Sequence, residues 1–113
     1  MCKRVKEFYP IAKTESEKYI WDFQKKMPED KKFDVVVINP GVIMGPQLNK
    51  GDNFGNGYIR SIILGKVPNL PISTSIIDVR DVAKAHLNAI LLPKAANKRY
   101  VLAAGSVMGV FIP

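Results

Sequence analysis

A run of mostly β-branched residues, Phe-Asp-Val-Val-Val-Ile-Asn at positions 33 to 39, most constrains how this 113-residue chain can fold. Apolar and polar side chains do not alternate along the run, so neither face is marked for solvent. Runs of this kind are typical of strands that are covered on both faces in a parallel sheet. A helical pattern precedes the run, and a helix followed by a buried strand indicates the α/β class.

The helical pattern covers residues 10 to 27, where apolar side chains recur at spacings of three and four. Pro10 suits the first turn of a helix, because its missing N–H would have no partner there, and Pro28 ends the helix. The segment from 40 to 57 is rich in Gly, Pro and Asn, which predicts a long loop of functional importance. The remaining elements are predicted as short helices over 57 to 65 and 80 to 92 and short strands over 75 to 77 and 97 to 103.

The second of these short helices carries polar residues that we interpret as structural. Asp78, Arg80 and Asp81 are expected to supply a cap, an ion pair and a first-turn acid that the helix dipole favours. His86 is interpreted as a satisfied, partly buried histidine and not as a catalytic group. The residues predicted to face inward are Val79, Val82, Ala83, His86, Ala89 and Ile90.

The composition of the chain argues against several classes of function. The net charge is +7, from 17 Lys and Arg against 10 Asp and Glu, but the excess is scattered and matches no nucleic-acid-binding motif. Binding of an anionic small molecule, such as a phosphorylated cofactor, explains this positive charge more simply than binding of nucleic acid does. One Cys and one His exclude a metal site built on those residues. No apolar run approaches the roughly 20 residues that span a bilayer, and no secretory signal is evident, so we expect a cytoplasmic protein without a membrane partner.

Tyr9 and Lys13 are the residues that most directly suggest chemistry. They lie four positions apart, so a helix would place both on one side. An ammonium beside a phenol favours the phenolate, which prepares the phenol to exchange a proton with a carbonyl or alcohol oxygen. The same spacing also occurs in helices where a tyrosine and a lysine are simply exposed, and spacing alone does not separate the two interpretations.

Four segments of the sequence, which occur in the same order as in a known enzyme family, favour the proton-transfer interpretation. The segment Tyr-Pro-Ile-Ala-Lys-Thr-Glu-Ser-Glu-Lys-Tyr-Ile-Trp-Asp-Phe at 9 to 23 resembles the active-site helix of the extended short-chain dehydrogenases/reductases. Residues 35 to 48 resemble that family's sixth strand and nicotinamide loop. Residues 66 to 68 resemble a turn before the substrate-side strand, and 77 to 89 resemble a helix start of the branch with dihydroflavonol, cinnamoyl-CoA and methylglyoxal reductases.

The resemblance implies a fold and a set of roles. The fold would be the C-terminal half of a Rossmann-like, doubly wound parallel sheet with a small substrate-side α/β portion. Tyr9 would be the general acid/base, and Lys13 would tune it and bind the nicotinamide ribose of NADP or NAD. Backbone groups of Pro40, Gly41 and Val42 would hold the carboxamide, with Gly41 allowing close approach of a flat ring. From the residues themselves, Met44, Phe54 and Tyr58 could line a pocket for a small carbonyl or alcohol substrate, or they could fill a small C-terminal core.

Two features of the family are missing from the sequence. No Gly-rich phosphate loop is present, and residues 1 to 8, which precede Tyr9, contain no Ser or Thr to hold the substrate oxygen. We therefore expect one partial domain over 1 to 113, inactive alone. Residues 9 to 47 would form the end of the Rossmann-like core, with the active-site helix and nicotinamide loop. Residues 48 to 113 would form the substrate-side portion and the final core strand.

Two alternatives stay open at this point. The chain could be a non-catalytic binding or regulatory fragment, which pairs with a full-length relative through an exposed sheet edge. It could also be related to the sugar-nucleotide epimerases and dehydratases, or to the 3β-hydroxysteroid dehydrogenases, which share the tyrosine and lysine. The sequence names neither the substrate nor the choice between NAD and NADP.

Overall fold

The computed structural model describes residues 5–51, 53–66 and 74–107 of the chain. These residues form a mixed α/β structure with parallel strands, as predicted. The predicted turn that ends at Pro68 lies mostly outside the described residues. The helices are α1 (Val5–Lys26), α2 (Phe54–Ile63) and α3 (Val79–Leu91), and the strands are β1 (Val36–Pro40), β2 (Val42–Met44), β3 (Thr74–Asp78), β4 (Lys98–Leu102) and β5 (Gly105–Val107).

The β-branched run forms β1, and β1 pairs in parallel with β4. Ile38 is opposite Tyr100 in this register, and Pro40 is opposite Leu102. The parallel pairing confirms the prediction. The prediction of burial on both faces is wrong, since every residue of β1 is half-buried. Within the described ranges one edge of β1 is also open, because β4 alone pairs with it.

A second sheet has the order β2-β3-β5. Its first strand, β2, lies inside the segment predicted as a loop from 40 to 57, so that prediction is wrong for residues 42 to 44. The three apolar residues of β2 pair in parallel with Ile76, Ile77 and Asp78 of β3. Three residues are too short a run to show a strand period in the sequence, and the strand exists because β3 offers a partner. Strand β5, which was not predicted, pairs antiparallel with β3.

Helix α1 begins at Val5, so Pro10 lies inside the helix and the predicted start at Pro10 is wrong. Proline fixes φ near its helical value, so the helix continues through it and forgoes one backbone hydrogen bond. Tyr9 is consequently embedded in a helical turn and does not precede the helix. Helix α2 likewise begins earlier than predicted, at Phe54, because the Asn53 side chain accepts a hydrogen bond from the Asn56 N–H.

Helix α3 begins where Asp78 caps it, as predicted. The Asp78 side chain accepts from the Arg80 N–H at 2.8 Å and from the Arg80 guanidinium at 2.9 and 2.7 Å. The predicted inward face is only partly correct, because Val82 is buried while Ile90 is 81% exposed. His86 is also exposed, although its Nδ1 lies 2.8 Å from the Val82 carbonyl oxygen, to which it donates.

The described residues have a small core. Its buried apolar side chains are Val35, Ile77, Val82 and Ala95. Large apolar side chains on α1 and α3 lie in solvent, among them Tyr19 at 71% exposure. No helix in the described ranges is long and apolar enough to cross a membrane. The structure thus has the layers of an α/β protein, but much of its apolar surface has no cover among the described residues.

Candidate active site

One cleft of about 960 Å³ lies where α1 passes the ends of β1 and β2. Tyr9 and Lys13 contribute to it from α1, and the loop from Pro40 to Val42 contributes from the junction of the two strands. Met44 and Phe54 line it further along. The structure therefore brings together the residues that the sequence suggested for proton transfer, for nicotinamide binding and, in part, for substrate binding.

The Tyr9 and Lys13 side chains are adjacent at this cleft. Lys13 Nζ lies 5.6 Å from the centre of the Tyr9 ring, within the range of a cation–π contact. The Tyr9 side chain is 71% exposed, so its hydroxyl is open to a molecule in the cleft. The geometry confirms that the two side chains share one side of α1, as their spacing predicted.

Gly41 has a reason for being glycine that the sequence did not show. A Cβ at this position would lie 2.4 Å from the carbonyl oxygen of Ser75 on β3, a distance that real Cβ atoms do not reach. The Gly41 N–H donates to the Leu102 carbonyl oxygen at 3.0 Å and so extends the β1–β4 pairing. The absence of a side chain therefore serves packing between strands, and the Gly41 amide is used within the fold.

The loop after β2 is held by an asparagine. The Asn56 side chain accepts from the Gly45 N–H at 3.2 Å and donates to the Gly45 carbonyl oxygen at 2.8 Å. Gly45 has φ 136°, which favours glycine. The two hydrogen bonds fix the start of α2 against the end of β2, and thereby place Phe54 at the rim of the cleft.

Only two of the three residues predicted to bind the substrate line the cleft. Met44 and Phe54 line the cleft, and Tyr58 does not line it but stacks on Phe54 with ring centres 6.2 Å apart. Phe54 is 82% exposed. This side of the cleft is thus an open aromatic surface and not a closed pocket.

Glu17 is a cleft residue that the sequence reasoning missed. It lies one turn beyond Lys13 on α1, and its side chain is only 19% exposed. Its Oε1 accepts from Arg99 Nε at 2.6 Å, and its Oε2 lies 3.5 Å from Asn39 Nδ2. The spacing of four from Lys13 was a signal that could have found it.

The environment of Glu17 keeps it ionised. Partial burial alone would raise the pKa of the Glu17 carboxyl, but hydrogen bonding and charge from Arg99, with hydrogen bonds from Trp21 and Asn39, lower that pKa below its ordinary value. A carboxylate is therefore present at neutral pH in the cleft that Lys13 also lines. Within the described ranges, no group of three or more His, Cys, Asp or Glu residues could hold a metal ion.

Fold and cleft together define an α/β protein with part of a Rossmann-like parallel sheet. No family model matches the chain. Three curated proteins match it along most of its length: an uncharacterised putative oxidoreductase of Saccharomyces cerevisiae (36% identical over 106 residues, 86% of this chain), cinnamoyl-CoA reductase 2 of Medicago truncatula (34%, 88% of this chain) and a putative NADPH-dependent methylglyoxal reductase of Candida albicans (38%, 84% of this chain).

These relatives fit the extended short-chain dehydrogenases/reductases, in the branch that contains the cinnamoyl-CoA and methylglyoxal reductases, and the chain is similar to them along most of its length. It spans 30% of the length of the yeast protein and 29% of each of the other two. Other matches carry names of the same kind, including a tetraketide alpha-pyrone reductase of Arabidopsis thaliana. The family resemblance in the sequence is thereby confirmed.

Proposed function

We propose that this chain carries the proton-transfer half of a reductase that moves hydride between NAD(P)H and a carbonyl or alcohol. The observation that carries the proposal is that Tyr9, Lys13 and the Pro40–Val42 loop line one cleft. Because the matched relatives are reductases by name, they favour this function over that of an epimerase or a hydroxysteroid dehydrogenase.

The chemistry assigned to the chain is proton transfer. When bound, a nicotinamide cofactor supplies the hydride. Tyr9 would donate its hydroxyl proton to the substrate oxygen as that oxygen gains charge, and the nearby Lys13 ammonium would stabilise the phenolate left behind. In the reverse direction Tyr9 would accept the proton from an alcohol.

The cleft has features that suit a nicotinamide. It is open along the Pro40–Val42 loop, and Lys13 offers three donors for ribose hydroxyls. Because the Gly41 amide is used in strand pairing, we assign the carboxamide to backbone groups of Pro40 and Val42. One relative is named as NADPH-dependent, so NADPH is the first cofactor to test.

The test uses Tyr9→Phe, with Tyr19→Phe as the matched control. Both tyrosines lie on α1 and both are 71% exposed, but only Tyr9 lines the cleft. NADPH and NADH binding is measured by calorimetry on the 113-residue chain. Turnover is measured after grafting the chain in place of the matching segment of the Candida reductase, with methylglyoxal as substrate.

We expect Tyr9→Phe to retain cofactor binding and to lower turnover of the graft by roughly 100- to 10,000-fold, the usual contribution of a general acid. Tyr19→Phe should change neither quantity. Equal turnover in the Tyr9→Phe graft and the unmodified graft would contradict the assigned role.

A second candidate function is binding to a full-length reductase of the same family. It is favoured by the free edge of β1, which among the described residues pairs with β4 alone. A groove of about 480 Å³ runs beside this strand and is lined by Val36 and Ile38 of β1 and by Ala89 and Ile90 of α3. A strand with unused backbone groups beside apolar side chains is a template for pairing with another chain.

This candidate is tested by mixing the chain with the Candida reductase and measuring mass by light scattering. Ile90→Lys places a charge in the groove, whereas Ile63→Lys places one on α2, at an exposed residue outside the groove. Binding that is lost with Ile90→Lys and kept with Ile63→Lys would support pairing through this edge. A mixture with no complex would contradict it.

A further inference from the structure

We propose that Glu17 is a positioning residue, which anchors α1 on the β1–β4 strand pair and so holds Tyr9 and Lys13 opposite the loop that begins at Pro40. The inference rests on the proposed function for its consequence in catalysis. The anchor itself is a property of the fold and can be measured without cofactor.

The hydrogen bonds of Glu17 reach both strands of the parallel pair. Arg99, its partner at 2.6 Å, belongs to β4, and Asn39, at 3.5 Å, belongs to β1. Asn39 directly precedes Pro40, where the loop at the cleft begins. One carboxylate thus connects the helix that carries the proton donor to the strand that positions the loop.

The other polar connections of α1 are farther from the reacting pair. In the part of the chain that the structure describes, Gln24 is the other α1 residue with side-chain hydrogen bonds to the rest of the fold, through the Phe33 carbonyl oxygen and Asn97. At 1.5 Å per residue, Glu17 lies about 12 Å along the helix from Tyr9, and Gln24 about 22 Å. A small tilt about Gln24 therefore moves Tyr9 farther than the same tilt about Glu17.

The Glu17–Arg99 ion pair can position α1 without being a main contributor to the stability of the fold. Arg99 is 54% exposed, so its guanidinium remains hydrated when the carboxylate is removed. The Glu17 carboxylate is mostly buried and is oriented by partners from two strands, which gives it one preferred geometry. The expected effect of losing it is a looser N-terminal half of α1, while the rest of the fold is retained.

Trp21, the sole tryptophan of the chain, reports on this anchor because it lies one helical turn beyond Glu17 on α1 and its indole helps to lower the pKa of the Glu17 carboxyl. Glu17→Gln removes the charge and keeps the shape. Glu15→Gln is the matched control, since Glu15 is an exposed residue of the same helix and its ion-pair partner Lys18 also lies on α1. Circular dichroism verifies that each variant retains its helix content.

Two measurements are made on the cofactor-free chain: Trp21 emission, and hydrogen exchange of backbone amides in residues 9 to 17. We expect Glu17→Gln to shift the emission and to raise exchange in that segment at least tenfold, and Glu15→Gln to do neither. Arg99→Leu should reproduce the increase in exchange. Unchanged exchange in Glu17→Gln would overturn the anchor.

The catalytic consequence is measured in the grafted reductase. We expect Glu17→Gln to lower kcat about tenfold while KM for the substrate changes less than twofold, because Tyr9 is misplaced and the aromatic side of the cleft is intact. A raised exchange with unchanged kcat would overturn the positioning role. If the unmodified graft shows no turnover and the chain binds no NADPH, the proposed function is contradicted. The hydrogen-exchange measurement still tests whether Glu17 anchors α1, because it needs no cofactor.

Discussion

The Nζ atom of Lys13 lies 5.6 Å from the centre of the Tyr9 ring, over the aromatic face. An ammonium in this position is attracted by the ring and acts on the phenol through its charge. It also remains available to a ligand in the cleft, which both residues line. This relationship suits a lysine that has two tasks, one toward the tyrosine and one toward a bound cofactor.

The first prediction concerns Lys13. Lys13→Met retains the apolar stem and removes the charge, so we expect weaker NADPH binding by the chain and at least tenfold lower turnover in the grafted reductase. Lys25→Met, at an exposed site in the last turn of α1, is the control. Calorimetry and steady-state kinetics measure the two effects. A Lys13→Met graft with the turnover of the control would exclude Lys13 from proton transfer.

The second prediction concerns two glycines of α2. A Cβ on Gly55 would lie 1.9 Å from the Ile43 carbonyl oxygen, whereas a Cβ on Gly57 would meet nothing within 4 Å. Gly55→Ala should destabilise the chain by about 1–3 kcal/mol through overpacking. Gly57→Ala should stabilise it by about 0.5–1 kcal/mol through helix propensity. Urea unfolding followed by Trp21 fluorescence measures both, and opposite signs are the expected outcome.

The third prediction concerns Asn97, which precedes β4 with a left-handed φ of 58°. Its side chain accepts from the Val35 N–H at 3.2 Å and donates to Asp34 at 2.8 Å. Asn97→Ala loses these bonds and retains a Cβ in a left-handed conformation, which costs about 1–2 kcal/mol by itself. Asn97→Gly loses the bonds without that strain.

We therefore expect Asn97→Ala to be the more destabilising of the two variants in urea unfolding. Asn97→Ala that is as stable as Asn97→Gly, or more stable, would contradict this expectation.

The fourth prediction concerns pH. Hydrogen bonds from the Arg80 side chain and backbone lower the pKa of Asp78 from 3.8 to about 2. A carboxyl whose pKa is depressed in the folded state contributes stability above its unfolded pKa and loses it as pH falls through the folded value. The Asp78 contribution should thus be complete above about pH 4.5 and be lost as the pH falls from about 4.5 toward 2.

Thermal unfolding at several pH values tests this with Asp78→Asn as the reference. The difference in melting temperature between the two proteins should be constant from pH 7 to about pH 4.5 and shrink toward pH 2. Other carboxyls titrate in both proteins and cancel in the difference. A gap that stays constant down to pH 2 would show that the Asp78 carboxylate has no depressed pKa.

The sequence predicted those parts of the site that depend on local spacing. Tyr9 and Lys13 lie four residues apart and share a helix face in any α-helix, so their proximity followed without tertiary information. Asp78 as a cap likewise followed from residue type and position. Glu17 and Asn97 were missed because their partners lie far away in sequence: Arg99 is 82 residues from Glu17, and Val35 is 62 residues from Asn97.

The sequence by itself thus determined the α/β class, the family, the parallel character of the strand at 36 to 40 and the pairing of Tyr9 with Lys13, because each depends on local pattern or on ordered motifs. Only the tertiary structure decided that Gly41 must be glycine because of Ser75, that residues 42 to 44 form a strand, and that Glu17 connects α1 to β1 and β4. Those features arise from contacts between segments that the chain brings together on folding, which no local period records.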